Sequence, residues 1–167
     1  MYSEPQQPTS DAVMAFDLQT GAIVWTMQAT ARDVFVVGCN QPNAANCPEE
    51  RGQIGPDFDF GNSPMLVRQR DGRDLIVIGQ KSGVGFALDP DKRGAIVWQY
   101  RAGQGSALGG MEFGSAADTE HAYFAVADGN QPSAGELHAV GLTSGTRVWM
   151  APPRPVLCGE RARGCSP

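Results

Sequence analysis

A phrase that ends in tryptophan occurs three times in this chain. Residues 15–25 read AFDLQTGAIVW, residues 87–98 read ALDPDKRGAIVW, and residues 139–149 read AVGLTSGTRVW. In each copy a glycine precedes the tryptophan by four residues, and these phrases use all three tryptophans of the chain: Trp25, Trp98 and Trp149. Each copy predicts strand, tight turn and strand, because glycine can adopt the positive φ that a chain reversal needs. Repetition at this period indicates a repeat architecture in which the tryptophans dock alike.

The composition favours short strands joined by turns. The 167 residues include 21 Gly and 12 Pro, about a fifth of the chain against roughly 12% in an average protein. Apolar residues occur in short or alternating runs and not at helical spacing, which predicts an all-β fold. The net charge of −5 without a basic run argues against a nucleic-acid partner. No run of 18 apolar residues is present, so no transmembrane segment is expected.

The spacing of the copies predicts a partial β-propeller. A four-stranded antiparallel blade takes roughly 40–50 residues, and the phrases from position 89 to position 141 lie 52 residues apart. The predicted parts are the end of one blade (11–28), an inserted loop (30–58), two full blades (60–101 and 110–150, the second opening with a strand at 113–116) and a proline-rich connector (151–167). About two and a half blades do not close a ring, so we expect a piece of a longer protein.

The four cysteines form two pairs that are close in sequence, Cys39 with Cys47 and Cys158 with Cys165. As disulfides, each would stabilise its loop by about 2–3 kcal/mol. Free thiols or a zinc site are the alternatives, although His121 and His138, the only histidines, belong to another repeat. Disulfides would indicate a periplasmic or secreted protein. The N-terminus does not resemble a signal peptide, which fits an internal fragment.

The first copy contains the pattern A-x-D-x-x-T-G-x-x-x-W, which resembles the tryptophan-docking motif of the eight-bladed quinoprotein alcohol dehydrogenases. The middle copy has one extra residue in its turn, and the last has Gly141 in place of Asp and Ser144 in place of Thr. This motif implies the propeller fold alone, because non-catalytic scaffold lipoproteins of outer-membrane assembly also carry it. A non-catalytic binding or assembly scaffold is therefore the alternative function.

Three further segments resemble parts of the family's cofactor site. In GPDFDFGNSPML, Asp59 matches the catalytic aspartate and Asp57 lies two residues before it. In IVIGQKSGVGFALD, Lys81 matches the basic residue that contacts the quinone. In GGMEFGS, Glu112 and Phe113 stand where the family has an Asn-Trp pair facing the cofactor. With the cysteine-containing insertion, these segments are most similar to polyvinyl-alcohol dehydrogenase-type members.

The resemblance implies oxidation of a secondary or polymeric alcohol, with hydride transfer to pyrroloquinoline quinone (PQQ) beside Ca²⁺. Asp59 would be the general base and a neighbour of the calcium ion, Lys81 would contact the quinone, and Glu112 and Phe113 would bind the cofactor. The electron acceptor would be cytochrome c or a quinone, and any haem c would lie on a segment outside this chain. The other calcium ligands would precede residue 1, so we expect the chain alone to be inactive.

Each site residue also has a structural interpretation. Asp59 stands in a Gly/Pro/Asn-rich loop, where an aspartate commonly caps a turn. Lys81 stands in Gln-Lys-Ser-Gly, where a lysine is commonly solvated. The enzymatic hypothesis requires both side chains to converge on one site, whereas the scaffold hypothesis expects them to lie apart.

Overall fold

The computed structural model describes residues 7–39, 47, 55–128 and 135–151. These residues form ten strands in three antiparallel sheets, with a short 3₁₀ turn at Pro90–Lys92 and no α-helix in the described part. The first sheet consists of β1 (Ala12–Phe16) and β2 (Ile23–Gln28). Within each sheet, consecutive strands pair antiparallel as neighbours, which is the connectivity of an up-and-down blade.

The second and third sheets have four strands each, and in both the spatial order follows the chain. The second sheet consists of β3 (Met65–Arg68), β4 (Asp74–Gly79), β5 (Val84–Asp89) and β6 (Ala95–Arg101). The third consists of β7 (Ser115–Ala117), β8 (His121–Val126), β9 (Glu136–Gly141) and β10 (Arg147–Ala151).

The three copies of the tryptophan phrase share one register. An alanine lies directly opposite the tryptophan in each hairpin: Ala15 opposite Trp25, Ala87 opposite Trp98 and Ala139 opposite Trp149. The register shifts at that pair in all three copies, which is the mark of a β-bulge. The small alanine leaves room for the indole, so the sequence repeat corresponds to a repeated local structure.

Aspartates stabilise the turns of the first two copies. Asp17 Oδ1 accepts hydrogen bonds from the backbone N of Gln19 (3.1 Å) and Thr20 (2.7 Å). Asp89 accepts equivalent bonds from the backbone N of Asp91 and Lys92. These bonds satisfy turn N–H groups that have no strand partner.

The sheets stack face to face. Buried residues of the first sheet, among them Val13 and Met27, pack with Phe86 and Leu88 on one face of the second sheet. The other face of the second sheet packs on the third through a larger cluster that includes Val77 and Phe124. The second sheet is therefore buried on both sides, as a blade within a β-propeller is.

The tryptophans of the first two sheets each contact the turn glycine of the next sheet. A Cβ built on Gly94 would lie 2.7 Å from Trp25 Cε3, and one built on Gly145 would lie 2.6 Å from Trp98 Cγ. Trp98 Nε1 also donates a hydrogen bond to the backbone O of Leu142 at 2.8 Å. Only a glycine at these turns leaves space for the neighbouring indole.

The first cysteine pair forms a disulfide, Cys39–Cys47. That part of the disulfide prediction is confirmed, and the free-thiol and zinc alternatives are wrong for this pair. Cys158 and Cys165 lie outside the described residues. His138 is buried, with Nδ1 2.7 Å from Tyr100 Oη and Nε2 2.9 Å from Glu136 Oε2.

Candidate functional site

The structure brings together the predicted carboxylates and the predicted cation. Asp57 and Asp59 lie in the segment that leads into β3, and Lys81 follows β4 in the turn to β5. Lys81 Nζ donates to Asp59 Oδ2 at 2.6 Å and to Asp57 Oδ2 at 3.2 Å. The Lys81 side chain is 9% exposed, that of Asp57 18% and that of Asp59 40%. The most accessible carboxylate of this ion-paired group is therefore Asp59.

The backbone around Lys81 is held on both sides. Lys81 N donates to the backbone O of Asp59 at 3.0 Å, and Lys81 O accepts from the backbone N of Ser106 at 3.1 Å. Gly110 passes so close that a Cβ there would lie 2.1 Å from Lys81 O. The position of the ammonium is thus fixed by main-chain contacts as well as by its ion pairs.

A buried aspartate shapes the carboxylate loop. Asp33 is 2% exposed and accepts hydrogen bonds from the backbone N of Asp57 (3.1 Å) and Phe58 (2.7 Å). Asp57 has a φ of +65° and Asp11 a φ of +48°, a conformation that is uncommon outside glycine. Aspartate adopts a positive φ more readily than most residues, so the loop can turn at these two positions at little cost.

These groups line one cavity of about 400 Å³, within the range of about 300–1,000 Å³ typical of small-ligand sites. Its polar lining is Asp11, Asp33, Asp57, Asp59 and Lys81. The apolar residues 34–37 line it as well. The cavity therefore combines an apolar wall with a polar group that contains four carboxyls and one ammonium.

Burial, together with neighbouring charged groups, shifts the pKa values of Asp11, Asp57 and Lys81. Burial raises the pKa of Asp11 to about 6, and a hydrogen bond with Asp59 adds to the effect. Burial likewise raises the pKa of Asp57, although its bond to Lys81 opposes this. For Lys81, burial works against the charged form, but the bonds to Asp59 and Asp57 outweigh it and the pKa is raised. Lys81 is therefore a cation at neutral pH, whereas Asp11 changes from protonated to ionised around pH 6.

Glu112 and Phe113 lie in a different cavity from Lys81. That cavity, of about 470 Å³, is also lined by Gly61 and Asn62. Glu112 is half-buried, and Phe113 is 85% exposed. Asn62 Nδ2 donates to the backbone O of Met111 at 2.6 Å, which ties the two segments together. The cofactor contact of Glu112 and Phe113 stays a prediction.

Sequence reasoning missed Asp11 and Asp33. Neither stands in a motif, and each is distant in sequence from Asp59. The only signal in the sequence is the position of Asp11 directly before a strand, which is too common to be specific. Among the described residues, no group of three or more His, Cys, Asp or Glu side chains is arranged to hold a metal ion.

No model of a protein family matches the sequence. The chain is 43% identical over 171 residues to a polyvinylalcohol dehydrogenase of Pseudomonas sp., covering 99% of this chain and 26% of that protein. It is 44% identical over 129 residues to a polyvinylalcohol dehydrogenase of Sphingopyxis sp. (strain 113P3), covering 76% of this chain and 19% of that protein. The chain thus spans about a quarter or less of the length of these relatives.

The fold is similar to that of a europium-containing methanol dehydrogenase, with a TM-score of 0.56 and 18% identity. The match covers 86% of this chain and 21% of that structure. At this identity the likeness concerns the fold alone, and with the stacked four-stranded sheets it confirms the all-β, partial-propeller prediction. The resemblance to quinoprotein alcohol dehydrogenases of the polyvinyl-alcohol dehydrogenase type is confirmed by the sequence identities, and the chain is homologous to a segment of these enzymes.

Proposed function

We propose that this chain is part of a PQQ-dependent alcohol dehydrogenase that oxidises a secondary or polymeric alcohol, with Asp59 as general base. The single observation that carries the proposal is the 2.6 Å contact between Lys81 Nζ and Asp59 Oδ2 inside a cavity of ligand size. The homologues named polyvinylalcohol dehydrogenase support the reaction class.

Asp59 is the carboxylate best placed to meet a substrate hydroxyl. Its side chain is 40% exposed, against 18% for Asp57, and it lines the cavity. A general base must come within hydrogen-bond reach of the proton that it removes. Asp57, which is less exposed and lies 3.2 Å from Lys81 Nζ, would hold the ammonium in position.

Lys81 would supply positive charge to the reaction. Its ammonium faces the cavity and its pKa is raised, so it stays charged at neutral pH. PQQ, when bound, supplies the carbonyl that accepts a hydride. A fixed cation stabilises negative charge that develops nearby, and it needs no reorganisation when the reaction occurs.

Lys81 suits a contact with PQQ, whereas the residues beside it supply only part of a calcium site. An ammonium 9% exposed at the wall of a 400 Å³ cavity suits an anionic quinone oxygen. For Ca²⁺, Asp59 offers a carboxylate neighbour, but the described residues contain no set of three or more ligating side chains. Further ligands would come from beyond the described residues. Glu112 and Phe113, in the neighbouring cavity, remain proposed cofactor contacts.

The disulfide Cys39–Cys47 supports a periplasmic or secreted location, because disulfides persist in oxidising compartments. Cytochrome c or a quinone would accept the electrons, and any haem c would lie on a segment outside this chain. The described part of the chain has no helix of membrane-spanning length and apolarity. Trp25 and Trp98, each packed on a glycine of the next sheet, support the tryptophan-docking interpretation.

The scaffold alternative expects Asp59 and Lys81 to lie on different faces, with no shared pocket. Their direct ion pair supports the enzymatic proposal instead. The cavity of about 400 Å³ that both side chains line also supports the enzymatic proposal.

The test uses a chimera in which this chain replaces the homologous segment of the Pseudomonas relative. With PQQ and Ca²⁺ added, the chimera should oxidise polyvinyl alcohol in a dye-linked assay. Asp59→Asn should lower turnover by about 10²- to 10⁴-fold, the usual contribution of a general base, while PQQ binding, followed by absorbance, persists. The matched control is Asp71→Asn, which removes a carboxylate from an exposed hairpin and should leave turnover unchanged. Unchanged turnover in Asp59→Asn would remove the assignment.

A further inference from the structure

A glycine-rich segment lies between the turn that carries Lys81 and the third sheet. Residues 102–110, which follow β6, read AGQGSALGG and form what we call the glycine loop. On one side, a Cβ built on Gly105 would lie 2.5 Å from Lys81 O. On the other side, a Cβ built on Gly103 would lie 2.7 Å from Asp128 Oδ2. The loop packs so closely against both neighbours that a displacement on one side is transmitted to the other.

Hydrogen bonds join the glycine loop to the turn that carries Lys81. Ser106 N donates to Lys81 O at 3.1 Å. Gly83 O accepts from Ala102 N at 2.9 Å and from Gly103 N at 3.2 Å. Since the main chain fixes where the Lys81 side chain begins, the loop helps to set where its ammonium lies.

Asp128 holds the other side of the glycine loop. Its Oδ2 accepts from Gln104 N at 2.9 Å, and its Oδ1 accepts from Gly105 N at 3.0 Å. Both carboxylate oxygens are therefore bonded to consecutive N–H groups of the loop, and a carboxylate forms stronger hydrogen bonds than a neutral acceptor does. Asp128 stands two residues after β8 as Lys81 stands two residues after β4, so the two residues occupy corresponding positions in neighbouring sheets.

Asp128 does not reach the Lys81 ammonium directly. It is absent from the described residues that line the cavity of Lys81. It lines a separate cavity of about 360 Å³ together with Arg101 and Glu136. Any influence of the Asp128 carboxylate on the ammonium must therefore pass through the glycine loop.

We propose that Asp128 is a positioning residue for Lys81 and acts through the glycine loop. Without the Asp128 carboxylate, the N–H groups of Gln104 and Gly105 lose their acceptors, and the loop no longer supports the main chain of Lys81. The ammonium then lies less closely against Asp59. The consequence for turnover rests on the proposed function, in which this ammonium stabilises negative charge that develops during the reaction.

NMR of the Lys81 ammonium tests the effect on position. The full 167-residue chain contains two lysines, Lys81 and Lys92, so labelling with ¹⁵N-lysine gives two side-chain signals, and Lys92→Arg assigns them. In the unchanged chain the ammonium of Lys81 should exchange its protons slowly with water, because its side chain is ion-paired and 9% exposed, whereas that of Lys92 is 74% exposed. Asp128→Ala should speed this exchange until the Lys81 signal is lost, at a temperature at which the variant is folded.

The matched control is Asp17→Ala. Asp17 also accepts bonds from two backbone N–H groups, those of Gln19 and Thr20, but it does so in a turn of the first sheet. This variant should also be less stable than the unchanged chain and should keep the Lys81 signal. Asp128→Asn retains one acceptor oxygen and should have an intermediate effect, and it decides the question if Asp128→Ala does not fold.

Turnover of the chimera described above tests the effect on catalysis. Asp128→Ala should lower kcat by about 10- to 100-fold, as displacement of a catalytic group does. KM should change little, because the charge that Lys81 stabilises develops only in the transition state. Asp128→Asn should lie between, and Asp17→Ala should leave kcat unchanged. A chimera that is inactive before any substitution would reject the proposed function, while the ammonium signal would still decide whether Asp128 positions Lys81.

Three results would overturn the proposal. One is a Lys81 signal that persists in folded Asp128→Ala, because the loop would then not depend on the carboxylate. Another is loss of the signal in Asp17→Ala as well, which would indicate a general loosening of the chain. The third is an active chimera in which Asp128→Ala leaves kcat unchanged although the ammonium signal is lost.

Discussion

Replacing Asp11 by asparagine should stabilise the folded chain at those pH values at which Asp11 is ionised, and should have little effect at lower pH. The pKa of Asp11 is about 6 in the folded chain, against 3.8 for an unperturbed aspartate. A carboxyl whose pKa is raised by folding contributes stability below pH 3.8, and this stability is lost as the pH rises through about 6. At pH 7 the folded chain therefore holds an unfavourable charge that asparagine lacks.

The magnitude follows from the shift of about two pKa units. Each unit corresponds to about 1.36 kcal/mol, which gives about 3 kcal/mol at most. Because Asp11 is only half-buried, solvent screening reduces this to about 1–1.5 kcal/mol. The asparagine amide can still donate to Asp59, as the protonated carboxyl does, and its side-chain oxygen can still accept from Ser10 Oγ. The positive φ at this position also suits asparagine.

Urea unfolding of both proteins from pH 4 to pH 8 measures the effect. The gain in free energy of unfolding should be near zero at pH 4 and reach its full value by pH 7. The control is Asp118→Asn, because bonds from Tyr123 Oη and from the backbone N of Glu120 and His121 lower the pKa of Asp118 to about 2. That substitution should destabilise the chain by a nearly constant amount from pH 8 down to pH 4, because a lowered pKa contributes stability that is lost only between pH 3.8 and about 2. A gain in Asp11→Asn that is equal at all pH values, or larger at pH 4, would refute the reasoning.

Two further substitutions test the packing and the ion pair. Lys81→Met should destabilise the chain by about 2–4 kcal/mol at pH 7, since it leaves the facing carboxylates of Asp57 and Asp59 without their cation. Protonation removes the unpaired negative charge, so urea midpoints should recover towards those of the unchanged chain as the pH falls. Trp98→Phe should cost about 1–3 kcal/mol by leaving a buried carbonyl without its donor, whereas Trp149→Phe should cost less than about 0.5 kcal/mol in dilute protein because the indole is 43% exposed. If both substitutions lowered the free energy of unfolding equally, the hydrogen bond from Trp98 Nε1 to the backbone O of Leu142 would not be the cause of the loss in Trp98→Phe.

The fold class could be predicted because the repeated phrase encodes its own register. The glycine sets the turn, the tryptophan lies opposite an alanine, and the same bulge follows in all three copies. Strand limits were less accurate. A strand was expected at 113–116, but β7 is Ser115–Ala117, because Gly114 has a φ of +120° that does not continue a strand.

The candidate site could be predicted only in part. The convergence of Asp59 and Lys81 was expected from the resemblance, and the two side chains do meet. Asp11 and Asp33 could not be found, because their approach depends on how the first sheet and the loop after it pack on the second sheet. Packing between sheets leaves no periodic signal in the sequence. The burial of Asp11 and its hydrogen bond with Asp59, which raise its pKa, became visible only with coordinates.

The proposed base and its cation belong to a single blade. Asp59 leads into the second sheet and Lys81 turns between two strands of that same sheet, and the bond from Lys81 N to Asp59 O at 3.0 Å joins the two segments directly. Changes in the number of blades, or in how the ring of blades curves, would leave the distance between the Asp59 carboxylate and the Lys81 ammonium unchanged as long as this bond is kept. Residues 34–37, on the apolar wall of the same cavity, could therefore vary and change what the cavity accepts without changing how far the proposed base lies from its cation.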